Sequence, residues 1–465
     1  MRFVHTSDWH IGYAQYNLEE RFSDFFRAAY YFAKEVVNQV KPDFILHSGD
    51  IFHHAKPSPG AIRQATAILK IFKNAGIPVF LIRGNHDAKT SKELAYGGTS
   101  LKLLSDLGLI EYLDDITVHR EDLGVSITGV GHYYGDRAQK RLKEVVDLSN
   151  YPPGHFKILA VHNFIEGQLD NVSETISVNL IDSLGFDYVA GGHYHIPWIR
   201  EKINVWVPGS LETTSANDWR RRDQVNGKIS PYATYYIIDA EKDNNNRWKK
   251  VVTEGRVLVR PKISIEIETD SIMAEDIQSL IEDEIEKAIK EMVAHVEAND
   301  GDFLSRYPNY RKNQLTKPIV RIKSKIELRA DEQALLDFER IKDRFNLLKL
   351  DFVNEQSDEE NYIGTDGTSN IPITEIIKNL AEEIGGKELY PLVQTVIEEF
   401  RDRPSSRDFS ENELDYFIKQ ANTIMEENMI EESQTQDAQP SSDKPKNIPS
   451  QSVERVGGTL EDWLS

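Results

Sequence analysis

The sequence predicts a layered α/β domain followed by a smaller α+β domain, and three observations carry that reading. From residue 1 to about 255, short apolar strands alternate with helical stretches, the pattern of an α/β layer. At Ile263 the period changes, because "ISIEIET" alternates strictly, as a half-buried strand does. Beyond Asn354 an acidic, glycine-containing stretch breaks the pattern again.

In the first part Arg2–Thr6, Phe44–Ser48, Val79–Ile82, Val125–Val130, Ile158–Val161, Tyr188–Ala190 and Val205–Val207 read as strands. Arg21–Val40 and Pro59–Ala75 read as helices, the second closed by Gly76. Ala233–Asp239 and Trp248–Val257 read as antiparallel strands that close the layer. The expected α/β domain is thus 1–257, and the α+β domain 258–353. In the latter, Ala274–Ala294 reads as a helix, "PIVRIKSKIEL" as a strand and Asp331–Phe345 as a helix. Residues 354–370 read as a linker. Residues 371–428 read as three short amphipathic helices, one carrying Ile373, Ile376, Ile377, Leu380 and Ile384 on one face. Such helices form a weak core alone, so their apolar faces are expected to dock on a partner. Residues 429–465 read as a disordered tail that ends in the apolar and aromatic "TLEDWLS".

Composition narrows the chemistry. The chain has 465 residues, 39% hydrophobic and 28% charged, which suits two or three globular domains with a polar appendage. No run approaches the ~18 apolar residues of a membrane span, and "MRFVHTSDWH" lacks the apolar stretch of a secretory signal, so the chain reads as cytoplasmic. A net charge of -21 argues against coating nucleic acid non-specifically, but leaves room for a local basic groove or phosphate-neutralising metals. There is no cysteine, so any metal is held by nitrogen and oxygen.

Five stretches place metal-type side chains just after predicted strands: "SDWH" (Asp8, His10), "SGDIFHH" (Asp50, with His53 and His54 behind it), "RGNHD" (Asn85, His86, Asp87), "VHN" (His162) and "GGHYH" (His193, His195). Loops at one sheet edge converge, so these groups can meet. Seven of them (Asp8, His10, Asp50, Asn85, His162, His193, His195) exceed what one tetrahedral ion needs. If a carboxylate bridges, two ions share them at about 3.5–4 Å, and Asp50 is the natural bridge. The mixed imidazole, carboxylate and amide set suits manganese, iron or zinc. Two such ions clamp a phosphate, activate a water and stabilise the leaving oxygen, which is what phosphoester hydrolysis needs. His86 reads as a general acid or stabiliser at the leaving oxygen, with the adjacent Asp87 holding its orientation. Each fragment alone is bland, since a single histidine near a strand end is more often a satisfied polar residue. Five in this order are not. His5 and His47, inside apolar strands, read as structural, and His132 in "GVGHYYG" fits either reading.

The set D-x-H, GD, GNHD, VH and GHxH resembles the calcineurin-like metallophosphoesterase superfamily over roughly residues 1 to 215. The resemblance implies a layered β-sandwich with flanking helices. It implies Asp8, His10, Asp50 and His195 around one ion, and Asp50, Asn85, His162 and His193 around the other, with His86 as the catalytic histidine. A narrower resemblance rests on "MRFVHTSDWHIG", "PDFILHSGDIFHHAKPSPGAI", "IPVFLIRGNHD", "AGGHYH" and "VPGSLETTS". These are similar to the double-strand-break-repair nucleases of the meiotic recombination eleven/SbcD family, archaeal type. That family implies two Mn2+ per subunit, 3′ to 5′ exonuclease action on duplex ends, and endonuclease action on single strands. It implies a homodimer, and a coiled-coil ATPase like SbcC bound by a helical segment, here 371–428. It also implies a capping domain, here 258–353, and a nucleoid-associated place in the cell. His53 matches its second histidine, which positions the strand end.

Contacts to phosphate are expected from Lys56, Arg63 and the Ser58 hydroxyl, from Arg220, Arg221 and Arg222, and from "RYPNYRK". In the last, Arg306, Arg311 and Lys312 interleave with Tyr307 and Tyr310, which suits backbone contact with stacking; a solvated loop is the alternative for each. In the tail, Leu460, Trp463 and Leu464 resemble the short motif by which archaeal repair proteins bind the sliding clamp, with Gly457 where glutamine is usual. A stray apolar end is the alternative there. Two other functions stay open at this point: a small-substrate phosphodiesterase or nucleotidase of the same superfamily, and a non-catalytic scaffold that tethers DNA ends.

Overall fold

The computed structural model describes residues 1–87, 99–169, 175–215, 218–219, 229–268, 274–326 and 336–354. The expected linker, the helical segment 371–428, the tail residues Leu460, Trp463 and Leu464, and Arg220, Arg221 and Arg222 lie outside them. The described residues belong to one compact unit.

The chain begins β1 (Arg2–Thr6), α1 (Glu19–Glu35), β2 (Phe44–His47), α2 (Pro59–Asn74), β3 (Val79–Leu81), α3 (Ser100–Asp106), β4 (Glu111–Tyr112), β5 (Ile116–Arg120), β6 (Val125–Val130), α4 (Asp136–Leu148) and β7 (Phe156–Val161). It continues with β8 (Phe164–Ile165), β9 (Thr175–Ile176), α5 (Val178–Leu184), β10 (Tyr188–Gly191), β11 (Trp198–Arg200), β12 (Val205–Val207), β13 (Ile229–Lys242) and β14 (Trp248–Ile267). Then come α6 (Ala274–Asn299), α7 (Gly301–Arg306), β15 (Ile319–Ser324), α8 (Phe338–Arg344) and β16 (Lys349–Asn354). One large sheet runs β16-β15-β14-β13-β1-β2-β3-β4, a second runs β11-β12-β10-β7-β6-β5, and β8 pairs with β9 in a small third sheet.

The two sheets pack face to face because their central strands are apolar on both sides. In β1, Phe3 enters the core between the sheets and Val4 the core under α1 and α2. In β2, Phe44 and Leu46 face inward and Ile45 outward. In the other sheet Ile158, Ala160, Tyr188 and Ala190 face the shared core, while Leu159, Val161 and Val189 face α4 and α5. Side chains alternate with period two, so strands buried on both faces read as continuous apolar runs. The result is four layers, helices on either side of two sheets.

The second part joins the first sheet rather than starting afresh. β14 runs unbroken through residue 257, pairs antiparallel with β13 as far as Ile263, and then pairs parallel with β15. The β13–β14 ladder shifts register between Ser230 and Tyr232, where Pro231 and Pro261 interrupt it. Proline has no amide hydrogen to donate, so it marks a bulge rather than a regular rung. Two sequence expectations move at their ends. α1 closes in a widened turn, Val36–Val40, before Lys41 turns left-handed. In the described residues of 331–345 the helix is only Phe338–Arg344, because the Asp337 side chain accepts from the Arg340 amide at 3.0 Å and caps it there. No helix among the described residues is long and apolar enough to cross a membrane.

Candidate metal centre

Every strand that brings a ligand-type side chain is parallel to its neighbour, so its loop leaves at the same edge. Asp8 and His10 follow β1, Asp50 follows β2, and Asn85, His86 and Asp87 follow β3; these three strands are adjacent and parallel. His162 follows β7, and His193 and His195 follow β10, also adjacent and parallel. Backbone bonds stitch the first loops together: Asp8 to Gly49 at 3.0 Å, His10 to Asp50 at 3.1 Å and Ile11 to Ile51 at 2.9 Å. Asp8, His10, Asp50 and His193 all have positive φ, from 47° to 77°. Non-glycine residues pay strain for that conformation, and such strain gathers where side chains must be aimed. The crowding also needs glycines. A Cβ on Gly49, itself at φ 102°, would overlap the His162 ring, and one on Gly192 would overlap Ser48 and His162.

All seven expected ligands come together. His10 Nε2 and His195 Nε2 stand 3.0 Å apart, and His195 Nε2 lies 3.8 Å from Asp8 Oδ1. On the other side Asn85 Oδ1 is 2.9 Å from His193 Nδ1 and 3.1 Å from His162 Nε2. Asp50 Oδ2 lies between the sets, 3.9 Å from His10 Nε2 and 3.2 Å from His162 Nε2. Two groups of ligand atoms thus form, Asp8 with His10 and His195, and Asp50 with His162 and His193. A third, His10 with His53 and His86, contains no carboxylate.

These residues fit divalent ions. Neighbouring ligands about 2.1 Å from one octahedral ion stand about 3 Å apart, which is the spacing of the facing nitrogens and oxygens. Asp50 Oδ2 is buried with no hydrogen-bond partner among the described residues, an orphan a cation would satisfy. The ring tautomers agree. His162 Nδ1 lies 2.6 Å from the Ser48 carbonyl, which can only accept, so Nδ1 carries the hydrogen and Nε2 offers its lone pair to the cluster. The Asp8, His10, Asp50 and His162 side chains are buried, whereas Asn85, His86, His193 and His195 are half-buried and form the mouth.

Without ions the electrostatics are strained. Burial pushes the Asp50 carboxyl up, but the charges of His162 and His86 outweigh it and hold it well below the usual range. Burial pulls His162 down, yet Asp50 and Asp8 raise it to about 9. His10 and His193 are held well below the usual value by burial and by neighbouring imidazoles.

The expectation that Asp87 orients the His86 ring is corrected. Its carboxylate turns away and accepts from the amides of Asp50 at 2.8 Å, Gly84 at 3.1 Å and Phe52 at 3.2 Å, so it shapes the metal-bearing loops. The His86 ring is held instead by the His53 carbonyl, 2.7 Å from Nδ1, and its amide donates to Asp50 Oδ1 at 2.9 Å. The backbone sends adjacent side chains in different directions, which adjacency in sequence does not reveal. His53 stacks on His86 with ring centres 4.9 Å apart, and Tyr13 stacks on His53 at 3.7 Å. His5 is a core residue, bonded to Tyr188 and Ser48 at 2.9 Å each. His132 is buried beside the mouth, its ring 5.2 Å from that of His193.

Lys56 and Arg63 are exposed, and Ser58 serves as the N-cap of α2, accepting from Ala61. The "RYPNYRK" reading is corrected at Tyr310. Tyr310 is fully buried and donates to the Val259 carbonyl, so its ring cannot stack on a ligand. Arg306 and Tyr307 both bond Glu35 on α1, and Arg311 pairs with Glu297 on α6. The stretch fastens elements together. Reading the sequence missed Tyr13, Thr214 and Asp218. The last two come from a turn after β12 and reach the His195 ring, Thr214 Oγ1 at 2.8 Å and Asp218 Oδ2 at 3.5 Å. No spacing rule links them to it.

Residues 1–197 match the family model of the calcineurin-like phosphoesterases. Curated archaeal proteins named DNA double-strand break repair protein Mre11 are similar to the chain. The one from Archaeoglobus fulgidus is 27% identical over 364 residues, 73% of this chain and 79% of its own length. The one from Methanococcus maripaludis is 29% identical over 279 residues, 55% and 73%. The one from Methanocaldococcus jannaschii is 30% identical over 230 residues, 47% and 58%. The family match spans every loop that feeds the metal centre, and the relatives extend well beyond it. Residues 1–197 thus resemble the calcineurin-like phosphoesterases, the chain is similar to archaeal Mre11 proteins over much of its length, and it is a metal-dependent phosphodiester hydrolase.

Proposed function

We propose that the protein is a manganese-dependent DNA nuclease that processes double-strand breaks. The observation that carries this is the convergence of two donor sets on one buried carboxylate, Asp50, at a half-open mouth. Asp8, His10 and His195 would hold one ion and Asn85, His162 and His193 the other, with Asp50 shared. When bound, two such ions polarise a phosphate, activate water and stabilise the leaving oxygen. The chain's own part is positional and protonic. The His53 carbonyl accepts from His86 Nδ1, which leaves Nε2 as the atom that meets the leaving oxygen. His53, stacked between Tyr13 and His86, is placed to steer the strand end. Lys56 and Arg63, exposed on the loop and helix that follow Asp50, suit contact with backbone phosphates.

The printed names of the relatives speak of double-strand break repair. The proposal extends to 3′ to 5′ exonuclease action on duplex ends, endonuclease action on single strands, and a homodimer. Residues 371–428 would dock an SbcC-like coiled-coil ATPase, residues 258–353 would cap the DNA, and the terminal motif would bind a sliding clamp. The expected place is the cytoplasm, at the nucleoid.

The test is an end-labelled duplex and a cyclic nucleotide, each incubated with the protein and Mn2+. Cleavage of the duplex, abolished by a chelator, is expected. Cleavage of the cyclic nucleotide alone would make the protein a small-substrate phosphodiesterase.

A further inference from the structure

Within the candidate centre the histidines are steadied from behind by different means. His162 Nδ1 is held by a backbone carbonyl, that of Ser48. His195 Nδ1 is held by side chains from a separate turn. Thr214 Oγ1 lies 2.8 Å from it and also 3.2 Å from Asp218 Oδ2. A carboxylate only accepts, so the Thr214 hydroxyl hydrogen points to Asp218. The hydroxyl oxygen then accepts from His195 Nδ1, which must carry the ring hydrogen. Nε2 is left bare on the side that faces His10 Nε2 at 3.0 Å and Asp8 Oδ1 at 3.8 Å.

The described residues that present this relay are tied back on both sides. Asp218 Oδ2 accepts from the Thr214 and Ser215 amides, both at 3.0 Å, and Oδ1 accepts from Ser215 Oγ at 3.1 Å. Gln15 holds the Thr214 carbonyl at 2.7 Å, and Arg21 holds the Thr213 carbonyl at 3.2 Å.

We infer that Thr214 and Asp218 are positioning residues that fix the tautomer and the aim of His195, and so set the affinity of one of the two metal positions without touching the other. The inference rests on the two-ion reading above. Partners behind a metal-bound histidine are commonly worth 10–100-fold in metal affinity. Their effect is confined to one ion because, among the described residues, Asn85, His162 and His193 make no bond to Thr213, Thr214, Ser215 or Asp218.

Asp218 also pins backbone amides, so the cleaner probe is Thr214→Val, which keeps shape and removes only the hydroxyl. The experiment titrates metal-free full-length protein with Mn2+ by calorimetry and by electron paramagnetic resonance. Wild type is expected to take up two ions. Thr214→Val should weaken one of them by about 10–100-fold and leave the other unchanged. Thr214→Ser should restore it, and excess Mn2+ should recover the cleavage rate of the valine variant. Asp218→Asn should weaken the same ion. If Thr214→Val bound both ions like wild type, lost both equally, or was matched in its defect by Thr214→Ser, the inference would be overturned. Wild-type protein that takes up fewer than two ions would overturn the two-ion reading itself.

Discussion

His86 and Asp87 are neighbours in the chain with unrelated jobs. The His86 ring faces the mouth with Nδ1 tied to the His53 carbonyl, and Asp87 ties down the loop beneath. Replacing them should therefore fail in different ways. His86→Ala should lower Mn2+-dependent cleavage by about 10²–10⁴-fold, the range of a lost general acid, while both ions still bind. Asp87→Ala leaves the amides of Gly84, Asp50 and Phe52 without their acceptor, at about 1–3 kcal/mol for each buried group. It should lower the melting midpoint and the metal affinity together. Cleavage rate, melting and Mn2+ titration on the two variants check this. A His86→Ala protein that cuts DNA like wild type would remove that residue from the mechanism.

At the scale of elements, the long strand β14 and helix α1 are locked by buried charges. Arg21 and Asp24 on α1 meet Arg260 and Lys262 on β14, with Glu212 between Arg21 and Lys262. Burial pushes the Glu212 carboxyl up, but Arg21 and Lys262 outweigh it and hold it well below the usual carboxylate range. A folded-state value below the unfolded one gives stability that is present above about pH 4.3 and is lost as pH falls through the folded value. Melting midpoints measured from neutral to acid pH should therefore drop steeply below about pH 4. Glu212→Gln leaves two buried cations short of a partner, so it should cost on the order of 3–5 kcal/mol at neutral pH and flatten the acid slope. An unchanged slope would show that other carboxylates govern acid unfolding.

The same scale shows what could be read from sequence. Val125–Val130 is legible because apolar and small polar residues alternate in it, and Val205–Val207 because it is an apolar run bounded by polar residues. The seven ligand-type residues were legible because each follows such a strand. Tyr310 misled, because interleaved aromatic and basic residues look alike in a DNA groove and in a fastener between helices. Asp87 misled because its backbone turns it toward the Asp50 loop. Thr214 and Asp218 gave no signal, since their link to His195 exists only once β10 and β12 lie side by side.

For the whole molecule, two sheets bring their loops to one edge, and the loops of both are needed to complete either donor set. Neither sheet alone supplies Asp50, His162 and His193 together, so the fold and the metal centre stand or fall as one. The most direct measurement is anomalous diffraction at the manganese edge from crystals of the Mn2+-loaded protein. Two peaks about 3.5–4 Å apart are expected, one beside Asp8, His10 and His195, the other beside Asn85, His162 and His193, with Asp50 between them. A single peak, or peaks away from Asp50, would contradict the two-ion account.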